Sequence, residues 1–173
     1  MKLYIIAFIG LSIIILLKLW QRNLESTKGE YEYNLNKSIL TPAERSFYGV
    51  LKQAVGNDFD IFSKVRVADI FSPRKGYSKS AWQSAFNKIS RKHFDFILSS
   101  KNDTSVKCCI ELNDKSHNKS TRGLRDQFLQ EICESTDLPF IQFATKSSYN
   151  IQTVKETIYE KLGINTNIKQ LEG

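Results

Sequence analysis

The sequence predicts an α/β domain, an αβββαβ core built on a mixed central sheet, preceded by one N-terminal transmembrane helix. Three observations carry that expectation. Helical and strand-like apolar periods alternate through residues 40–162. Two apolar, strand-like runs flank a Lys-Asn-Asp-Thr turn at residues 101–104, as in a hairpin. Fifteen uncharged, mostly apolar residues, Leu3 to Leu17, open the chain.

The opening run is extended by Lys18-Leu19-Trp20 to about the length that spans a bilayer. Lys18 can snorkel, and Tyr4 and Trp20 suit the two interfaces. Lys2 also makes a charged start, as in a secretory signal, but no small-x-small cleavage site follows. Residues 1–21 are therefore expected to be an uncleaved anchor that contacts the membrane through residues 3–20. Lys18, Arg22 and Lys28 outnumber Lys2 plus the amino terminus. That bias predicts a single-pass protein of the inner (cytoplasmic) membrane with its C-terminal domain in the cytoplasm.

Residues 22–39 read as a polar linker, and 40–162 as the folded domain. Thr41, Pro42 and Glu44 form an N-cap, a first-turn proline and a capping-box partner. Phe47, Tyr48, Leu51 and Val55 supply the apolar face of that helix, and Gly56-Asn57-Asp58 ends it. Phe59 to Val67 follows as a strand, continuing irregularly to Phe71; Ser72 to Gly76 is a loop. Ala81, Trp82, Ala85, Phe86 and Ile89 recur at helical spacing, so Ser78 to Arg91 is an inserted helix. Its Trp82 and Phe86 suit the core better than base stacking. After the hairpin come a helix over 120–135, an apolar strand over 139–145 and a helix marked by Ile151, Val154, Ile158 and Leu162. A strand-helix-strand crossover makes the last strand parallel to the one before it. Residues 163–173 form a polar tail.

The three cysteines, Cys108, Cys109 and Cys133, include no CxxC spacing, so no zinc ribbon and no disulfide framework is expected. The net charge of +7 is concentrated. Residues 64–92 hold Lys64, Arg66, Arg74, Lys75, Lys79, Lys88, Arg91 and Lys92 against Asp69 alone. Such a block suits a polyanion, with Lys88, Arg91 and Lys92 nearest the hairpin. A solvated helix face or an anionic membrane surface are the competing uses.

The hairpin carries the candidate chemistry. Asp95 lies about as far before the turn as Glu111 lies after it, so an antiparallel pair brings both to one end of the sheet. A glutamate inside an apolar run is rare, because burying an unpaired carboxylate is costly. Glu111 and Asn113 share a strand face. The only histidines, His93 and His117, lie close in sequence. Converging acids beside an imidazole are what a divalent-metal phosphodiesterase needs: Asp95 and Glu111 to hold Mg²⁺ (or Mn²⁺), the ion to polarise phosphate. His117 is the candidate general acid or base, or else an ordinary loop histidine. Lys115 is the candidate electrostatic stabiliser. Arg122 and Arg125, in the first turns of the next helix, suit a phosphate clamp or a surface ion pair. Asn113 can hydrogen-bond a phosphate but cannot act as a base.

Leu40-Thr-Pro-Ala-Glu44, Asp95-Phe96, Ile110-Glu111-Leu112, Ser116-His117 and the Arg122/Arg125-Asp126 helix start together resemble the PD-(D/E)XK, restriction-endonuclease-like superfamily. The likeness is nearest to its very-short-patch-repair endonuclease branch. More narrowly, the chain resembles a bacterial domain-of-unknown-function family whose members sometimes carry a topoisomerase-type zinc finger. The resemblance covers about Leu40 to Phe143. It implies a restriction-endonuclease-like fold, Glu44 near the metal as an outer ligand or water-positioning base, and the backbone carbonyl after Leu112 in the metal's shell. It also implies DNA as the partner and dimers, in which many such enzymes cut two strands. Asn113 stands where relatives usually have Asp and where typical superfamily enzymes place the catalytic lysine. The expected function is thus a membrane-anchored, Mg²⁺-dependent nuclease that binds and hydrolyses DNA. The alternative is a catalytically impaired nuclease-fold module that binds nucleic acid at the membrane.

Overall fold

The computed structural model describes residues 2–26, 32–113 and 119–165, with side chains described at 8–21, 32–113 and 124–165. The chain divides into two compact units, Met1–Lys37 and Ser38–Gly173.

The first unit holds helix α1 (Lys2–Ser26). Among the described residues no helix is long and apolar enough to cross a membrane. The uncharged, mostly apolar run, Leu3 to Leu17, rises about 22 Å at about 1.5 Å per residue, against a hydrocarbon core of about 30 Å. Lys18 ends that run, and the helix finishes on the mostly polar segment Gln21 to Ser26. This corrects the expected transmembrane helix and, with it, the single-pass inner-membrane placement with a cytoplasmic domain. The stretch expected to open the linker instead continues the helix.

The second unit is mixed α/β, with a four-stranded sheet in the order β1-β2-β3-β4. The chain enters through α2 (Pro42–Val55), where Thr41 and Glu44 cap reciprocally. A cap of this kind is worth about 1 kcal/mol. Strand β1 (Phe59–Arg66) follows, then the single turn α3 (Val67–Ile70). The expected continuation of β1 to Phe71 does not form. Arg66 pairs with Asp69 three residues on, at 2.6 Å, which closes a turn instead. Helix α4 (Lys79–Ile89) leads into β2 (His93–Ser100) and β3 (Val106–Asn113). Helix α5 (Lys119–Glu134) crosses to β4 (Phe140–Ala144), and α6 (Ile151–Lys161) completes the order.

Strands β1, β2 and β3 pair antiparallel, and β4 joins β3 in parallel, as a crossover through α5 requires. Residues alternate along β3 between two cores: Cys108 and Ile110 in one, Cys109 in the other. The first core packs under α2 and α6 through Phe47, Leu51, Val154 and Ile158. The second packs under α4 and α5 through Ile89, Leu129 and Cys133. The result is a sheet sandwiched by helices on both faces. All three cysteines are buried free thiols. Trp82 departs from the expected core position: it is 38% exposed and stacks on Phe86 at 5.1 Å, so Ile89 alone of that face is fully buried.

Candidate active site

The ladder between β2 and β3 places the two acids. Its last pair at that end is Phe96↔Ile110, so the next residues on each strand are Asp95 and Glu111. Beyond that pair, side chains replace backbone partners. The Asp95 amide donates to Glu111 Oε1 at 3.3 Å, and the Leu112 amide donates to Asp95 Oδ2 at 3.0 Å. The acids thus interlock where the hairpin opens, Asp95 at 8% exposure and Glu111 at 2%.

Each carboxylate is met by a cation from a different element, Arg125 from α5 and Lys64 from β1. On the α5 side, Arg125 donates to Glu111 Oε2 at 3.0 Å and to the His93 carbonyl at 3.2 Å. On the α2 side, Lys64 Nζ donates to Asp95 Oδ1 at 2.8 Å and to Glu44 Oε1 at 2.7 Å. Glu44 fills its expected capping role, with Oε2 accepting from the Thr41 amide at 2.9 Å, while its other oxygen accepts from Lys64 beside Asp95.

Lys64 was not among the expected site residues. It lies between the paired positions Ser63↔Phe96 and Val65↔Phe94, opposite Asp95. Its backbone is left-handed, φ 57°, in the middle of a strand. Among the described residues, the other non-glycine positions with positive φ, Thr104 and Asp137, lie outside strands. A left-handed lysine costs about 1–3 kcal/mol and persists only where its surroundings over-determine it. The surroundings show why. Ile61 packs on the first core and Val65 on the second; across the ladder, Phe96 belongs to the first and Phe94 to the second. Residues two apart in a regular strand share a face. Both strands roll over at the Lys64–Asp95 position, and the roll turns Lys64 inward. The sequence carries no signal of this, since Phe59, Ile61, Val65 and Val67 keep apolar alternation and assign Lys64 to the solvent side with Arg66.

Burial pushes the Glu111 carboxyl up to about 8, and the Asp95 charge pushes the same way, against the pull of Arg125. Glu44 behaves in the opposite sense. Burial works against its ionised form, but hydrogen bonds from Lys64 and Thr41 hold its carboxyl below the ordinary range. Lys64 responds in kind: burial opposes its charge, yet Asp95 and Glu44 hold its ammonium above the ordinary value.

The remaining expected residues are placed as follows. Asn113 is half-buried at the end of β3, and its carbonyl accepts from Thr145 at 2.9 Å. Lys115 and His117 lie outside the described residues, as does the side chain of Arg122. Arg125 points to Glu111 rather than to an outer surface partner. Lys88, in the last turn of α4, and Arg91, between α4 and β2, are exposed, while Lys92 lies over the Phe128 ring at 5.0 Å.

Hard carboxylate oxygens are the right donors for Mg²⁺, which commonly takes one or two carboxylates and fills its shell with water and substrate phosphate. Asp95 and Glu111 meet that requirement, and a dication would relieve the burial penalty on Glu111. Among the described residues, no group of three or more His, Cys, Asp and Glu side chains is arranged to hold a metal ion. The fit is therefore to a carboxylate pair, not to a closed cage.

Neither the curated proteins nor the solved structures hold a match to this chain. A family model, described as a protein of unknown function (DUF2726), matches residues 36–162. The chain belongs to that family.

Proposed function

We propose that the domain is a metal-dependent nuclease that binds DNA and hydrolyses its phosphodiester bonds on a restriction-endonuclease-like core. The observation that carries this reading is the interlocked pair Asp95 and Glu111 at the open end of the hairpin. A nearly inaccessible glutamate with its carboxyl raised to about 8 is an expensive feature, and functional sites are where such groups concentrate. Asp95 and Glu111 would hold Mg²⁺ or Mn²⁺, which supplies phosphate polarisation and a hydroxide nucleophile when bound. Arg125 keeps Glu111 oriented, and Lys64 fixes Asp95 against Glu44. Lys88 and Arg91 offer exposed charge for the phosphate backbone just ahead of the Asp95 strand.

A second reading is favoured by a specific feature of the same site. Lys64 and Arg125 already neutralise the carboxylates, and Asn113 offers no base where a lysine or acid would stand. On that reading the domain is a catalytically impaired module that binds nucleic acid. A nicking assay on supercoiled plasmid with Mg²⁺ or Mn²⁺ separates the two. Nicking by the full chain that disappears in Asp95→Ala and Glu111→Ala supports the nuclease. Activity surviving both substitutions refutes the site, and an inert protein that binds DNA with steep salt dependence establishes the second reading.

A further inference from the structure

We propose that Lys64 is a resident counter-cation that competes with a dication for Asp95 and so sets how tightly the site takes a metal ion. The inference rests on the reading of Asp95 and Glu111 as metal ligands. It names a residue of β1 as the one that tunes them.

Lys64 Nζ stands 2.7 Å from a Glu44 oxygen and 2.8 Å from an Asp95 oxygen, so two carboxylates from different elements share one positive charge. That is the arrangement a hard cation would demand of the same oxygens. With all groups ionised, Glu44, Asp95 and Glu111 carry three negative charges, against positive charges on Lys64 and Arg125. Removing Lys64 makes the cluster more negative by one charge and frees both oxygens at once.

The two cations are not equivalent. Arg125 is held by a carboxylate that is 2% exposed and by the His93 carbonyl. The Lys64 side chain is 31% exposed and ends in a flexible point charge, so it can swing to water or to a substrate phosphate when its oxygens are taken. Its left-handed backbone within β1 shows that the inward position is enforced by the roll of two strands, not chosen for local comfort.

The test is Mn²⁺ binding to the full chain without nucleic acid, followed by electron paramagnetic resonance at fixed pH. Lys64→Gln should bind Mn²⁺ about tenfold tighter than wild type or better. Lys64→Arg, which keeps the charge, should stay near wild type. Because a glutamine at a left-handed position is strained, Lys64→Gly serves as the fold-safe variant: glycine adopts positive φ without penalty. It should show the same gain, and adding Asp95→Asn should erase it. Lys64→Gly that folds with wild-type thermal stability yet binds Mn²⁺ no tighter overturns the proposal. Failure of the nuclease reading looks different: tight Mn²⁺ binding in the Lys64 variants, with no cleavage by any form of the protein.

Discussion

Replacing Arg125 by alanine should cost more stability at high pH than at low pH. Arg125 donates to Glu111 Oε2 at 3.0 Å, and the only other hydrogen bond to that carboxylate among the described residues is a 3.3 Å contact from the Asp95 amide. Breaking a fully buried ion pair costs about 3–5 kcal/mol, whereas an exposed pair is worth about 0–1. This pair is mixed, with Glu111 at 2% and Arg125 at 39% side-chain exposure. Solvent screening on the arginine side brings the expected loss to about 2 kcal/mol while Glu111 is ionised. Where Glu111 is protonated, the substitution removes a hydrogen bond and some stem packing, about 1 kcal/mol. The sign follows from the direction of the shift. The folded carboxyl is raised from 4.5 to about 8, so its contribution is whole at low pH and is lost as pH climbs through about 8. Removing Arg125 raises it further and deepens that loss. Urea unfolding of wild type and Arg125→Ala at about pH 6 and about pH 9 should give a difference of about 1 kcal/mol that grows to about 2. A cost that is equal at both pH values, or larger at the lower one, would refute the assignment of Arg125 as the partner of a raised Glu111.

Mn²⁺ binding at neutral pH should release about one proton, because Glu111 must ionise to become a ligand. Calorimetry in buffers of different ionisation enthalpy reads this directly, and no release would remove Glu111 from the ligand set. Neutralising Lys88, Arg91 and Lys92 together should weaken DNA binding and flatten its salt dependence by about 0.9 in the logarithmic slope per lost phosphate contact. An unchanged slope would place the DNA elsewhere. Cys108, Cys109 and Cys133 are inaccessible, and burial pushes the Cys108 thiol up to about 12. Iodoacetamide should therefore label them only at the rate of unfolding, and fast labelling of the native protein would contradict this packing.

How much of the site the sequence discloses depends on what kind of geometry each residue needs. The adjacency of Asp95 and Glu111 follows from counting residues around one turn, and Phe96↔Ile110 pairing delivers it. The parallel β4 follows from the crossover rule. Lys64 is different. Period-two reasoning assumes that a strand keeps its faces, and the roll that sends Phe94 and Phe96 into separate cores breaks that assumption in both strands at once. Arg125 shows a milder version: a helix start predicts a cation near the hairpin but not which way the guanidinium turns, and it turns inward to Glu111. The extension of β1 failed for a local reason, because Arg66 and Asp69 at three-residue spacing favour a turn over apolar Val67 to Phe71. The N-terminal helix was legible as a helix, while its reach across a bilayer counted residues beyond Lys18 as apolar length.

The roll at Lys64 and Asp95 has a consequence for the life of the chain before it is fully folded. Asp95 receives its cation, together with Glu44, from the side of the sheet that docks α2, and Glu111 receives its own from α5 on the other side. No half of the molecule contains a complete constellation. Without α2 docked, Lys64 and Asp95 lack Glu44, and without α5 docked, Glu111 lacks Arg125. The arrangement makes the finished tertiary structure a precondition for the assembled acid cluster, so that completing the fold and completing the site become one event.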